Sequence, residues 1–483
     1  MNARAVSRMV SFVLMVLGAA MAGCALFARA AGDPRSAVEA FAVSGGACVA
    51  VGVLVWFLTR GALELTRRDG FGVVTFGWLA AGIAGALPYR LSGVIPSGID
   101  AFFESVSGFT TTGASVLSHL ESLPRGILFW RALTHFFGGM GVLVLCVAIL
   151  PLLGTGGMQI FRAEMNGPSK DRLTPRIATT AKLLWGVYVL LCAVETLLLR
   201  WGGLSWFDAL CHSFATIATG GFSTRTQSLA AFNAPFVEVV VIVFMFLAGV
   251  NFSLHCRLLS GRWNAHFRDP EFRFYLLVWL SAGLGVSALI ARRTEFTTVG
   301  AALRAGFFQV TSIYTSTGFA TEDYDRWPNL VRLFFLLLML AGACAGSTAG
   351  GMKSIRFMIT LKAMLREIRL AVMPTSVQRI KIAGEPLEDA TVQNIIGFVL
   401  LFTALFAAAS LVMTFFMPDL ESAFSSVAAT LCNVGPGLGA VGPSTTYAAI
   451  PTAGKIVLTM CMLLGRLELF TIVVLFLPRF WRR

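Results

Sequence analysis

Glycine, threonine, serine and asparagine recur in four short stretches of this chain, and together they can hold a dehydrated cation without using a charged side chain. The stretches are Ser107-Gly108-Phe109-Thr110-Thr111-Thr112-Gly113-Ala114-Ser115, Ile217-Ala218-Thr219-Gly220-Gly221-Phe222-Ser223, Thr315-Ser316-Thr317-Gly318-Phe319-Ala320 and Cys432-Asn433-Val434-Gly435-Pro436-Gly437. Counted from Gly113 to Gly220, Gly318 and Gly435, the intervals are 107, 98 and 117 residues. Each stretch follows a short apolar segment with an alanine (Ala101, Ala209, Ala305, Ala423) placed 12, 11, 13 and 12 residues before its glycine. Glycine reaches backbone angles that turn successive carbonyls the same way, and it puts no side chain in their path. Four such carbonyl sets around one axis can replace an ion's hydration shell. The hydroxyls of Thr110, Thr111, Thr112, Thr219, Thr315, Ser316 and Thr317 add polarity without charge. A single Thr-Gly pair reads equally well as loop chemistry. Four copies at a long period read as one structural unit used four times.

The composition says what must surround these stretches. Of 483 residues, 56% are hydrophobic and 13% charged, about half the charged share of a soluble chain (roughly 25%). Several apolar runs approach the roughly 20 residues that cross a bilayer as a helix. The net charge of +13 therefore belongs to membrane topology, and nucleic acid is not an expected partner. Nine cysteines, among them Cys24, Cys146, Cys192, Cys344 and Cys461 in apolar runs, show no Cys-x-x-Cys spacing and read as small buried hydrophobes. No Ser/His/Asp set, metal cluster or nucleotide loop argues for an enzyme. Residues 1–31 imitate a signal peptide, with Arg4, Arg8 and Ala28-Arg29-Ala30. Their apolar part is longer than the usual core of about 7–15 residues, so a retained first membrane helix is expected.

The expected architecture is an all-α polytopic membrane protein. Two leading helices (9–30 and 38–59, within 1–68) precede four pseudo-repeats at 69–160, 177–260, 271–365 and 390–483. Each repeat has an outer helix, a re-entrant half-helix and a returning helix. The half-helices are expected near 98–109, 205–216, 301–313 and 420–431, and the returning helices near 126–153, 233–258, 329–357 and 450–478. One set of loops is rich in bases (Arg60, Arg67, Arg68; Arg162, Lys170, Arg172, Arg176; Arg257, Arg262, Arg268, Arg273; Lys353 to Lys381), as is the tail (Arg479, Arg482, Arg483). Placing that side in the cytoplasm puts both termini there, although Arg292, Arg293, Arg304 and Arg326 blur the asymmetry. All four half-helices then enter from outside, with their partially negative C-terminal ends toward the axis, which favours a cation. Non-helical backbone at that depth is tolerated only where it is buried or lines a path. Near the outer ends, Asp100, Glu104, Asp208, Glu322, Asp323, Asp325, Asp419 and Glu421 are candidates for a negative mouth.

With these features the sequence resembles the membrane subunit of the bacterial Trk/Ktr potassium-uptake family (Trk/Ktr/HKT), in its Trk branch, over roughly residues 1–483. The matching motifs are Thr110–Gly113, Thr219-Gly220-Gly221-Phe222-Ser223-Thr224, Thr315–Phe319 and Asn433-Val434-Gly435-Pro436-Gly437. The resemblance implies potassium uptake across the inner membrane through a selectivity filter. Its ion-binding residues would be Thr110, Thr111, Thr112, Gly113, Ala218, Thr219, Gly220, Thr315, Ser316, Thr317, Gly318, Asn433, Val434 and Gly435. One filter glycine per repeat maps to Gly113, Gly220, Gly318 and Gly435, and glycine rather than serine at 113 implies potassium preference. K+ is the transported ion, and no covalently bound cofactor is implied.

Two further stretches match. Ala341 to Gly351 is glycine-dense, and glycine costs about 1 kcal/mol relative to alanine within a helix, so the third returning helix should break there. Close helix packing through small residues is the other reading. In the family this break is an intramembrane gate, which assigns Gly342, Ala345, Gly346, Ser347, Gly350 and Gly351 to it. Arg466 lies inside the last apolar run, where arginine is expensive and normally faces a path or partner. The resemblance places it beside the gate, as a barrier to a cation. Glu468 is too close in sequence on a helix to pair with it. The resemblance also implies a homodimer and a cytoplasmic nucleotide-binding ring of the RCK type (TrkA-like) that controls the gate. Competing readings are a sodium or mixed sodium/potassium transporter and, in a different class, an ion-coupled organic-solute carrier with broken helices.

Overall fold

The structure is a computed structural model, and it describes residues 2–60, 67–141, 177–292, 296, 298–376, 378–382, 385–467 and 478. Two long antiparallel helices lead, Ala3–Ala30 and Arg35–Leu58. Their backbones approach closely: a Cβ added at Gly18 would crowd the Gly45 carbonyl, and one at Gly45 the Gly18 carbonyl. Small residues at a helix crossing permit this kind of approach within a bilayer. The turn between them reaches into the first repeat, where Asp33 accepts the N–H groups of Arg125 (3.0 Å) and Gly126 (2.6 Å). These are two of the orphan donors at the start of that repeat's returning helix.

Four repeats follow. Their outer helices are Arg67–Leu91, Ile177–Trp201, Pro270–Ile290 and Asp389–Met413. Together with the leading pair, these are the six helices long and apolar enough to cross a membrane among the described residues. The half-helices are Gly98–Phe109, Trp206–Ile217, Val299–Tyr314 and Leu420–Leu431. Each starts on an N-cap whose side chain accepts the N–H three residues on: Ser97, Ser205, Thr298 and Asp419. Such a cap contributes about 1 kcal/mol and sets where the helix begins. The third starts one turn earlier than the others, which accounts for its 16 residues against 12.

The returning helices are described over shorter spans than expected. They are Arg125–Gly139, Pro235–Ala248, Asn329–Leu340 and Thr452–Arg466, with 15, 14, 12 and 15 residues. At about 1.5 Å per residue each is near 20 Å long, short of the roughly 30 Å hydrocarbon core. The break expected in the third repeat is present. A second break, which was not expected, bends Pro235–Ala248 by 100° from Phe252–Leu259 in the second repeat. The expected continuations of the first and fourth (to 153 and 478) lie mostly outside the described residues. On the opposite side from the half-helix starts, Ser354–Val372 leads to a two-residue antiparallel pairing of Lys381–Ile382 with Glu385–Pro386.

Candidate functional site

All four half-helices end in the same motif. The residue after the C-cap is left-handed and not glycine: Thr111 (φ 52°), Thr219 (54°), Ser316 (53°) and Asn433 (53°). Its N–H donates to the carbonyl three residues back, at Gly108, Thr216, Ile313 and Thr430. The next N–H donates five back, from Thr112 to Ser107, Gly220 to Ala215, Thr317 to Ser312 and Val434 to Ala429, at 2.7 to 2.9 Å. This is a Schellman termination. It normally uses glycine at the left-handed position, because any Cβ costs energy there. Four repeats paying that cost at one position mark a conformation held by its surroundings.

Two residues after each left-handed position stands a glycine with positive φ: Gly113 (80°), Gly221 (77°), Gly318 (83°) and Gly435 (97°). Their α-carbons meet in a closed cycle. A Cβ added at Gly113 would collide with the Gly220 carbonyl, one at Gly221 with that of Thr317, one at Gly318 with that of Val434, and one at Gly435 with that of Thr112. The carbonyls of Thr112, Gly220, Thr317 and Val434 are therefore one ring of equivalent atoms, each against the glycine of a neighbouring repeat. Among the described residues none of the four accepts a backbone N–H. The N–H groups of this backbone are tied into the helix ends while these oxygens stay open, an arrangement suited to a desolvated cation.

The geometry corrects one assignment. The second-repeat counterpart of Gly113, Gly318 and Gly435 is Gly221; Gly220 is the counterpart of Thr112. Ala209 precedes Gly221 by 12 residues, the interval from Ala101 to Gly113 and from Ala423 to Gly435, so the spacing carried the signal.

Side chains hold the ring from outside. Thr110 Oγ1 lies 2.8 Å from Thr112 Oγ1, and Thr315 Oγ1 2.7 Å from Thr317 Oγ1. Asn433 Nδ2 donates to Thr112 Oγ1 (2.9 Å) and the Met462 carbonyl (3.0 Å), joining repeats four and one. His135 joins repeats one and two: the Phe222 N–H donates to Nε2 (3.1 Å), so Nδ1 carries the proton and donates to the Gly108 carbonyl (2.8 Å). Behind these, the segment beyond each glycine is fastened to its own half-helix. Glu104 accepts the Val116 N–H at 2.9 Å, His212 Nε2 lies 2.9 Å from Ser223 Oγ, and Ser425 accepts the Leu438 N–H at 3.0 Å. Gln309, with its amide oxygen toward the chain, accepts from Thr321 N at 2.9 Å.

Glu104 is not a mouth charge. It is fully buried, pairs with Arg131 Nε at 2.8 Å, and Arg131 goes on to donate to the Ser223 carbonyl and Ser115 Oγ. Five other acids expected at the mouth are neutralised or engaged. Asp100 pairs with Lys455, Asp208 with Arg225, Asp323 with Arg326 and Glu421 with Arg332, while Asp419 caps its own helix. Asp325 retains a perturbed carboxyl. Partial burial raises it to about 6, against the Gly439 N–H and Arg332, which favour the ionised form.

Below the ring, residues 341–353 form an ordered loop. The Gly342 N–H donates to the Met352 carbonyl (2.7 Å) and Ser347 Oγ to that of Cys344 (2.6 Å), while Gly346 and Gly351 are left-handed (φ 72° and 69°). The loop docks on the second repeat's break: Cys344 N–H donates to the Gly249 carbonyl and Phe252 N–H to that of Gly346, both at 3.0 Å. That docking is the physical reason for the unexpected bend. Thr348 Oγ1 donates to the Ile217 carbonyl (2.9 Å), and the Gly350 N–H to Ser316 Oγ (2.6 Å), at the foot of the ring. Arg466 sits at the same level. It donates to the Thr348 carbonyl at 2.8 Å and to those of Gly138 and Gly139, binding the loop to the end of the first returning helix. Glu468 lies outside the described residues.

Comparison with known proteins agrees with this architecture. The family model described as "TrkH: Cation transport protein" matches residues 37–483. The Trk system potassium uptake protein TrkH of Salmonella typhimurium is 41% identical over 486 residues, with all of both chains covered. The Trk system potassium uptake protein TrkG of Escherichia coli is 36% identical over 446 residues, covering 92% of this chain and 90% of that one. Among solved structures, the potassium transporter TrkH from Vibrio parahaemolyticus superposes with a TM-score of 0.90 at 38% identity, covering all of both chains. On a family match over most of its length and a full-length relative well above 30% identity, this multi-pass membrane chain belongs to the TrkH family of cation transport proteins, a family of transporters and not of enzymes.

Proposed function

We propose that this protein takes up potassium across the bacterial cytoplasmic membrane, through a filter centred on the carbonyls of Thr112, Gly220, Thr317 and Val434. The observation that carries the reading is the closed cycle in which each repeat's glycine lies against a carbonyl of the next repeat that takes no backbone N–H. Four uncharged oxygens at one level suit a monovalent cation, whereas a carrier of organic solutes needs room that this closed contact does not leave. The helix ends that lead into the ring add negative potential without a carboxylate. The 341–353 loop and Arg466 act as the gate beneath the filter, and a cation passing toward the cytoplasm meets the arginine charge there. Both termini are cytoplasmic. The basic segment around Lys362, Arg366, Arg369, Arg379 and Lys381 receives a nucleotide-binding ring of the RCK type, and two chains form a homodimer with one pathway each.

The test is growth of a bacterium lacking its own potassium uptake, complemented with this chain, at limiting potassium and graded sodium. Rescue at micromolar to low millimolar potassium that excess sodium does not suppress is the expected result. Rescue abolished by equimolar sodium would favour the mixed sodium/potassium reading.

A further inference from the structure

Glu271 is a buried carboxylate set apart from the carbonyl ring and from Arg466. Its side chain is buried in the first turn of the helix Pro270–Ile290, at the base of the third repeat. One oxygen, Oε1, accepts two backbone N–H groups from outside that helix: Ala345 at 2.7 Å and Ile355 at 3.0 Å. These two residues bracket the central part of the 341–353 loop. Ile355 is in the first turn of Ser354–Val372, whose N-cap position, Lys353, makes no side-chain capping bond. Glu271 therefore supplies in trans the acceptor that this helix start lacks. It also lies in the first turn of its own helix, so one carboxylate serves two helix N-termini. Both favour negative charge, which offsets part of the cost of burying it.

The consequence for the loop is a division between fixed and movable parts. Ala345 and Ile355 are pinned to one rigid helix. Between them, Gly346 and Gly351 hold left-handed backbone, the conformation that lets a chain pivot without a Cβ penalty. The segment from 346 to 351 is held by the bonds of Thr348, Gly350 and Arg466, by the Phe252 N–H at the Gly346 carbonyl and by Lys353 at the Ala349 carbonyl, all of which can be exchanged. We propose that Glu271 is the positioning residue of the gate, fixing the two ends between which the 346–351 segment swings aside. This rests on the reading of the 341–353 loop as a gate.

The experiment is rubidium uptake into proteoliposomes containing the full chain without any cytoplasmic partner. It compares the wild type, Glu271→Ala, Glu271→Gln and Arg466→Ala. Freed loop ends should raise basal flux in Glu271→Ala by about tenfold, which corresponds to about 1.4 kcal/mol lost from the closed state. Glu271→Gln keeps an oxygen acceptor but not the charge, so its rise should stay below about threefold, a charged acceptor being worth roughly twice a neutral one. Potassium-over-sodium preference should hold in both. Wild-type flux in Glu271→Ala alongside raised flux in Arg466→Ala would overturn the role of Glu271 and leave the gate standing. Unchanged flux in both would overturn the gate and this inference with it. If Glu271→Ala does not fold, amide exchange in the wild type decides. The amides of Ala345 and Ile355 should exchange more slowly than those of Ser347 and Thr348, and equal or faster exchange overturns the proposal.

Discussion

The carbonyl ring and the level just beneath it are built on opposite plans. In the ring, every repeat contributes the same parts: a Schellman end, a left-handed non-glycine residue, an open carbonyl and a left-handed glycine. Beneath it the described parts of the repeats diverge. The first returning helix ends at Gly139, the second bends through 100°, the third opens into the 341–353 loop, and the fourth ends at Arg466, which grips that loop. Coordinating a spherical ion rewards equivalence, because four like oxygens can match one radius. Closing a path rewards difference, because one element must move while the others form its seat. Duplication therefore survives at the proposed filter and has been lost at the proposed gate.

The largest effect should come from breaking the ring at the position that the structure reassigns. Gly221→Ala places a Cβ against the Thr317 carbonyl at a φ of 77°. Strained backbone alone costs of order 1–3 kcal/mol, and displacement of the carbonyl adds to it, so uptake should fall by about a hundredfold. Potassium-limited growth measures this, and near-normal growth would remove Gly221 from the ring. Gly113→Ser meets the same obstacle, a Cβ against the Gly220 carbonyl at a φ of 80°, and whatever uptake remains should discriminate less between potassium and sodium in a competition flux assay.

Breaking the frame around the ring comes next. Arg131→Met leaves Glu104 buried without its partner, a change worth about 3–5 kcal/mol, and thermal unfolding in detergent should show it. Adding Glu104→Gln should recover part of the loss, because the two residues share one interaction. An undiminished melting temperature in the single variant would mean that the pair does not brace the filter.

At the lower level the effect is smaller and opposite in sign. Arg466→Ala removes the bonds to Thr348, Gly138 and Gly139 together with a charge near the path. Two unit charges about 5 Å apart repel by roughly 3 kcal/mol at an effective dielectric near 20. With water screening, basal flux should rise by between about tenfold and a hundredfold, with ion preference unchanged. Shortening the loop should do the same, and the two changes should be less than additive. Unchanged flux in a well-expressed Arg466→Ala protein would make the arginine structural.

The smallest effect belongs outside both levels. Asp325 has its folded carboxyl raised to about 6, so it binds a proton more readily folded than unfolded. Its ionised form therefore weakens the fold above about pH 6, and its contribution improves as pH falls from there toward the ordinary carboxylate value near 4. Lowering external pH from 7.5 to 5 should change apparent potassium affinity by less than about twofold, since Asp325 lies in an outer loop beside the compensating charge of Arg332 and salt screens its field at the ring. Asp325→Asn should remove whatever dependence there is.

Much of this was legible in the sequence where a feature repeats. The four glycine stretches, the short segments before them and the break at 341–351 are local patterns, and the structure places all of them in one region. The choice between Gly220 and Gly221 was not local. Either glycine fits the motif, and which of them turns left-handed depends on where the half-helix ends relative to its neighbours. The 12-residue interval from Ala209 settles it only once the other repeats are laid alongside. The pairing of Glu104 with Arg131 was hidden because Arg131 lies on the returning helix, 27 residues away in sequence, and no local pattern around Glu104 points to it. The bend after Ala248 was hidden for a similar reason: Gly249-Val250-Asn251 is a weak helix breaker by itself and becomes a break because the third repeat's loop donates into it.

The central claim is that the cation sits among four backbone carbonyls, and anomalous diffraction from crystals grown with rubidium or thallium tests it most directly. The account predicts an on-axis peak at the level of the carbonyl oxygens of Thr112, Gly220, Thr317 and Val434, lost in Gly221→Ala. A peak confined to the acidic outer loops, or none within the ring at saturating rubidium, would contradict it.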